Sequence, residues 1–396
     1  MTDRWDRRRC STAGAALIVV AVLAAACSSS GGSAAKSPIT IALVADLTGT
    51  DSASGQTSQA GVETAVAEIN ASGGVNGAPL RVSTYDTQSA VGPAQAAIRA
   101  ATTSKPAAIT GILLSTESTV GASIISSGGV PWVSESYPTA ALNKASYWFT
   151  TSPTDDEIST GTVESLKSIM GGSLAGKKVA FEGTDLPAVK SHISLMSAAV
   201  TKEGGTVSTT ITDQIGLSSW ASQAQSVVSS GANAFIINAD EPDTAVVSKA
   251  LSVAGFRGPI LSTESSSSDS LLSNVNLPNF YVVRETVDQP RTSAIYRFVS
   301  TVGANAQNVN NPNFGKEYIA TYVIAAVLTK CGATCPVDNF VKTLRGLGDI
   351  SIPNNISVGP LNFATVQSGV TAAQAFAWDS SKGMAVSNSQ IIDVTP

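Results

Sequence analysis

Two places in this 396-residue chain set polar side chains where an apolar strand-like run gives way to a helical pattern. Ser115-Thr116-Glu117-Ser118 follows the run Ala107–Leu114. A helix start presents unpaired backbone N–H groups and the positive end of the helix dipole, so hydroxyls there make a seat for a carboxylate. The competing use of Ser115 or Ser118 is a plain N-cap. Ser136 and Tyr137 end the next short strand and approach the same crevice. Glu264 ends a strand in the other half of the chain. Alone it is a solvated loop acid; opposite Ser115 across a cleft it can hold an ammonium group by charge-assisted hydrogen bonds.

Catalytic chemistry has little to work with. The single histidine, His192, cannot build a metal cluster and is expected to be structural. There is no G-x-S-x-G elbow, G-x-G-x-x-G fingerprint or G-x-x-x-x-G-K-[ST] phosphate loop. Adjacent acids such as Asp155-Asp156 and Asp240-Glu241 carry no mark of a glycosidase pair. The expectation is a protein that is not an enzyme and uses no cofactor and no metal.

The elements that must position these residues begin at Ile39–Asp86. A short β-branched run, Ile39–Ala45, is closed by Asp46 and a turn-rich loop. A helical face of Val62, Ala65, Val66 and Ile69 follows and stops at Gly73-Gly74, and Leu80–Asp86 alternates as a second strand. The same strand–helix alternation recurs before and after Pro153, which predicts an α/β fold with two lobes built on parallel sheets. Open parallel sheets bind ligands at the carboxyl ends of their strands, where the residues named above fall. The last stretch, with Phe363, Phe376, Trp378 and Ile391-Ile392, reads as antiparallel strands. Length suits two domains, and 43% hydrophobic with 13% charged residues suits compact cores rather than disorder.

The first residues read as an address. Arg4, Arg7, Arg8 and Arg9 precede the apolar run Ala13–Ala26, too short for a comfortable span and suited to a signal peptide. Ala24-Ala25-Ala26-Cys27 resembles a bacterial lipobox, with Ala24 where a larger aliphatic residue is usual. Lipidation of Cys27 is expected, the alternative being a signal peptide cleaved without it. Residues 27–37 then form a flexible tether. The first 26 residues hold four Arg and two Asp, so the 24 basic and 29 acidic residues become 20 and 27. An acidic chain with scattered charge argues against nucleic acid. Cys331 and Cys335, four residues apart in an exported chain, favour a local disulfide over zinc.

The stretches IALVADLTG, GVETAVAEINASGGVNG, LRVSTYDTQS, GILLSTEST, GVPWVSES and GFRGPILSTES together resemble the type I periplasmic solute-binding proteins of branched-chain amino-acid ABC transporters, over about residues 38–365. The resemblance implies two Rossmann-like lobes joined by a three-crossover hinge, with 38–152 and 286–365 in one lobe and 153–285 and 366–396 in the other. It places Ser115 on a carboxylate-binding serine, Ser136 and Tyr137 on a second carboxylate-side loop, and Glu264 on an ammonium-binding acid. Ser54 falls on a first-loop position often aromatic in the family, and Leu186 and Asp240 fall near its second-lobe tyrosines. The implied function is capture of an amino acid, branched-chain or more polar, by a monomeric, lipid-anchored protein on the outer face of the cytoplasmic membrane, and delivery to an ABC permease. The alternatives are a sensor or a binder of amides, urea or aromatic acids on the same fold, and last a hydrolase.

Overall fold

The computed structural model describes residues 36–136, 145–289, 291–303 and 306–395. Tyr137, Cys27 and the leader lie outside the described residues. The first sheet contains β1 (Ile39–Ala45), β2 (Leu80–Asp86), β3 (Ile109–Thr110), β4 (Trp132–Ser134) and β5 (Trp148–Thr150). Its order is β2-β1-β3-β4-β5 and every pairing is parallel. Between these strands run α1 (Ser52–Ala71), α2 (Val91–Thr103) and α3 (Ser115–Gly128).

The second sheet is built from β6 (Lys178–Thr184), β7 (Thr206–Asp213), β8 (Ala234–Asn238), β9 (Ile260–Ser262) and β10 (Phe280–Arg284), paired in parallel. The helices α4 (Asp155–Ile169), α5 (Pro187–Lys202), α6 (Ala221–Ser229), α7 (Glu241–Val253) and α8 (Asp269–Val275) accompany it. Its far edge departs from a purely parallel plan: β11 (Ala372–Asp379) is antiparallel to β10 and is flanked by β12 (Met384–Ser387) and β13 (Ile392–Asp393). The antiparallel reading of the tail therefore holds for its strands, while Phe363 sits in a loop and packs edge-on against Phe149, ring centres 5.9 Å apart.

Between β10 and β11 the chain returns to the first sheet as α9 (Ala294–Thr301), α10 (Pro312–Cys331) and α11 (Val337–Arg345). The chain thus passes between the sheets three times, and an isolated bridge joins Thr150 to Ser368 where two passages run side by side. α10 lies along α1, and the approach is close enough that a Cβ on Gly61 would stand 2.3 Å from the Phe314 carbonyl oxygen. Val62 and Ala65 of α1 and Phe314, Tyr318 and Ile319 of α10 are buried in one core with Ile41 and Leu43. A second core gathers Phe235, Ile237, Val247, Leu251, Phe280 and Val282. Each such side chain contributes about 1.5–3 kcal/mol on burial.

The sequence predicts a strand over Ala107–Leu114, and only Ile109–Thr110 joins the ladder. Gly111 turns away with φ 135° against β1, where a Cβ would meet the Val44 carbonyl oxygen at 1.9 Å. Beyond it the Leu113 N–H donates to the Ser136 hydroxyl instead of to a neighbouring strand. Among the described residues no helix is long and apolar enough to cross a membrane.

Candidate functional site

A cleft of about 870 Å³ opens at the carboxyl ends of strands from both sheets. From the first sheet side come Ser54, Ser115, Glu135 and Ser136; from the second come Asp240, Glu241, Glu264 and Ser265; α10 contributes Pro312, Asn313 and Lys316. Five of the seven expected ligand-side residues, Ser54, Ser115, Ser136, Asp240 and Glu264, therefore line one cavity. Thr116 is exposed one residue into α3 and is absent from that lining, and Leu186, 44% exposed, lies outside it as well. No aromatic side chain lines the cleft among the described residues.

Local structure explains how each side chain is held. α3 begins after Leu114, which has no side-chain cap, so Ser115 is its first residue and remains exposed. The Leu114 N–H donates to Glu117 Oε2 at 3.2 Å, which ties the entering loop to the first turn. Glu117 is buried, and burial together with the neighbouring Asp46 pushes its carboxyl up to about 7. The Ser136 hydroxyl is engaged by the loop before α3: it accepts from Leu113 N–H and lies 3.4 Å from the Leu113 carbonyl. It shapes the seat rather than standing free in it. Ser54 donates to Asp51 Oδ1 at 2.9 Å, and Asp240 caps α7 by accepting the Asp243 N–H at 2.9 Å.

Glu264 is not the lone acid that sequence reasoning anticipates. Lys316 Nζ donates to its Oε2 at 2.6 Å and stands 3.3 Å from Glu285 Oε1. Lys316 rides on α10 beside the first sheet, whereas Glu264 follows β9 and Glu285 follows β10. Burial would lower the ammonium, but Glu264, Glu285 and Glu135 outweigh it and hold Lys316 well above the usual lysine range. Burial pushes Glu135 up to about 8 despite Lys316, so near neutral pH it carries a proton and can donate. Burial also raises Glu285, against the pull of Lys316. Glu317, the next residue, accepts the Glu135 N–H at 2.7 Å and the Thr110 hydroxyl, fastening α10 to β3 and to the end of β4.

Sequence reasoning missed Lys316, Glu135 and Glu285. A signal for the first was present: Lys316-Glu317 are the only charged residues in the largely apolar stretch Pro312–Leu328. Charges in such a setting are retained where they have partners or a task.

His192 lies away from this cavity. Its Nε2 is 3.0 Å from Asp155 Oδ1 and its Nδ1 is 2.9 Å from Asn238 Nδ2, a structural link between α4, α5 and the end of β8. Among the described residues no group of acids, cysteines and histidine could hold a metal. Cys331 and Cys335 are bonded, with Cα atoms 5.5 Å apart. A smaller cavity of about 480 Å³ between α1, α10 and residues 350–354 stands away from the strand ends, and its acid, Glu68, is satisfied by the hydroxyls of Tyr318 and Tyr322.

A family profile described as periplasmic binding protein matches residues 38–382. The chain belongs to the periplasmic binding protein family. Solved structures agree with its two-lobe, type I architecture. A solute-binding protein from R. palustris in complex with 4-hydroxybenzoate superposes with a TM-score of 0.74 at 18% identity, covering 91% of this chain and 98% of that one. A branched-chain amino acid transporter substrate-binding protein from Streptococcus pneumoniae in complex with isoleucine gives 0.71 at 17%, covering 90% and 99%. A fatty acid ABC transporter substrate-binding protein from Thermomonospora curvata gives 0.71 at 17%, covering 90% and 92%. No curated protein matches the chain. This binding protein thus shares its frame with relatives whose solutes differ widely, and the family and these neighbours bind substrates rather than turn them over.

Proposed function

We propose that this periplasmic binding protein captures a small carboxylate-bearing solute, an amino acid or a related acid, in the cleft between its lobes and delivers it to an ABC permease. The observation that carries the reading is that the first turn of α3, with Ser115 and no side-chain cap, opens into a cavity whose opposite wall holds Glu264. The helix start would take the solute carboxylate, with Ser136 shaping the loop and Ser54 and Asp240 lining the rim. We assign residues 38–152 and 286–365 to the first lobe and 153–285 and 366–396 to the second, hinged at the three passages. In the same reading the chain is an exported monomer, tethered by lipid on Cys27 to the outer face of the membrane. Closure would follow from contacts made only when both lobes touch the solute.

A polar cleft without described aromatic walls favours a polar acid over an aromatic one, and His192, held by Asp155 and Asn238, offers no base to a hydrolase. Calorimetric titration with a panel of amino acids and small organic acids should give heat for at least one carboxylate. Because Ser115 is exposed, Ser115→Asp should fold normally and weaken that binding at least tenfold by placing like charge at the seat. Silence across the panel, or unaltered affinity in Ser115→Asp, counts against the assignment; a fatty-acid label retained by Cys27→Ser counts against the anchor.

A further inference from the structure

The charges around the cleft do not treat the two ends of a zwitterion alike. α1, α3 and α10 begin at the cavity on the first-sheet side and α7 on the second, so the positive ends of four helix dipoles meet the cleft. Asp240 and Asn311 satisfy donors at two of these starts, by accepting the N–H groups of Asp243 and Asn313, whereas α3 has no such cap. The acid best placed to receive a cation, by contrast, is occupied. Lys316 Nζ lies 2.6 Å from Glu264 and 3.3 Å from Glu285, with its side chain only 6% exposed. A ligand ammonium that reached Glu264 would stand beside Lys316 in a poorly solvated site, where like charges repel strongly. It would have to share the carboxylate with a cation that the chain itself keeps in place. A neutral donor such as a hydroxyl meets neither obstacle: it can still donate to Glu264, which retains free acceptor capacity beside its bond to Lys316.

We propose that Lys316 sets the ligand class of this cleft: by engaging Glu264 it disfavours an α-ammonium group and selects small carboxylic acids that carry a neutral hydrogen-bond donor, such as a hydroxyl, in its place. This rests on the reading of the cleft as the solute site.

The test uses pairs that differ only at that group: alanine and lactate, serine and glycerate, leucine and 2-hydroxyisocaproate, all in the L configuration. Each pair is titrated calorimetrically into the mature protein. In any pair that binds, the hydroxy acid should bind at least tenfold more tightly than the amino acid. Lys316→Met should cut that ratio at least tenfold by freeing Glu264. Since this variant leaves Glu264 and the buried Glu285 without their shared cation, Lys316→Met with Glu285→Gln is measured alongside it, after circular dichroism has shown a native fold. Amino acids binding as tightly as their hydroxy acids, or a ratio indifferent to Lys316, overturns the proposal and leaves the solute-binding reading standing. Heat from neither member of any pair, with heat from another acid of the panel, overturns this proposal alone, and silence across the whole panel removes both.

Discussion

Raising the pH from 5 to 8 is expected to destabilise this protein, and Glu182→Gln to remove one group's share of the effect. Glu182 lies on β6, one strand in from the edge of the second sheet, between Ile211 of β7 and Ile237 of β8, and is 1% exposed. Neither carboxylate oxygen has a hydrogen-bond partner. Burial, reinforced by Asp213, Asp243 and Asp240, pushes its carboxyl from an ordinary 4.5 up to about 8. The folded chain therefore holds a proton that the unfolded chain releases above pH 4.5. The corresponding stability is complete below that pH and is lost as pH rises through about 8. For one such group the loss between pH 5 and 8 is on the order of 3 kcal/mol. Glu117, Glu135, Glu157, Glu317 and Asp288 are shifted in the same direction, so the wild-type decline is steeper than one group would give. Glutamine keeps the shape and cannot ionise. Urea unfolding at pH 5, 7 and 8 should show Glu182→Gln losing about 3 kcal/mol less across that span than the wild type. Parallel pH profiles for the two chains would refute the assignment.

Arg284→Met should be the most damaging single change at the edge of the second sheet. Arg284 ends β10 and is 1% exposed. Its guanidinium contacts Asp288 at 2.5 Å, Asp269 at 3.5 Å and the Ser267 carbonyl at 3.0 Å, and lies over the Phe376 ring, 4.7 Å from its centre. Asp288 in turn accepts the Ala385 N–H, so this one side chain ties β10 to the antiparallel strands β11 and β12. Taking one partner out of a buried ion pair costs about 3–5 kcal/mol, because the remaining charge is stranded. Burial already pushes Asp288 up to about 8, against the pull of Arg284, so at pH 5 the stranded acid can take up a proton and the penalty shrinks. Adding Asp288→Asn should recover part of the loss at pH 8. Urea midpoints for the two variants test this, and a cost below about 1 kcal/mol for Arg284→Met would place it among ordinary surface changes.

What the sequence discloses here follows from what is local. β1 and α1 are legible because an apolar run and a helical face need no distant partner to be recognised. The end of β3 is not legible in the same way: Gly111 leaves the ladder because Val44, far off in sequence, presses against it. Ser54, Ser115, Ser136, Asp240 and Glu264 fall on one cavity because each lies beyond the carboxyl end of a strand or beside it, a rule that survives ignorance of the exact packing. The ion partner of Glu264 is 52 residues further along, on a helix that rejoins the first sheet after the second has been built. Its meaning appears only when α10 is laid against both. Lys316 and Glu182 share a lesson: a charge embedded in an apolar helix or strand is visible in the sequence, but whether it is paired with another group or kept neutral by a proton is decided in three dimensions.

α10 carries Lys316 near one end and Cys331 at the other, fifteen residues apart, which at 1.5 Å per residue is about 22 Å along the helix. The cystine closes only a five-membered stretch of chain, a constraint worth about 2 kcal/mol by loop entropy. A thiol reductant thus acts on a corner of the molecule remote from recognition. Treated with dithiothreitol, the protein should melt a few degrees lower while its solute dissociation constant stays within twofold, which would make its task independent of the redox poise of its surroundings. A joint loss of affinity would instead show that the distal turn of α10 governs the placement of its first.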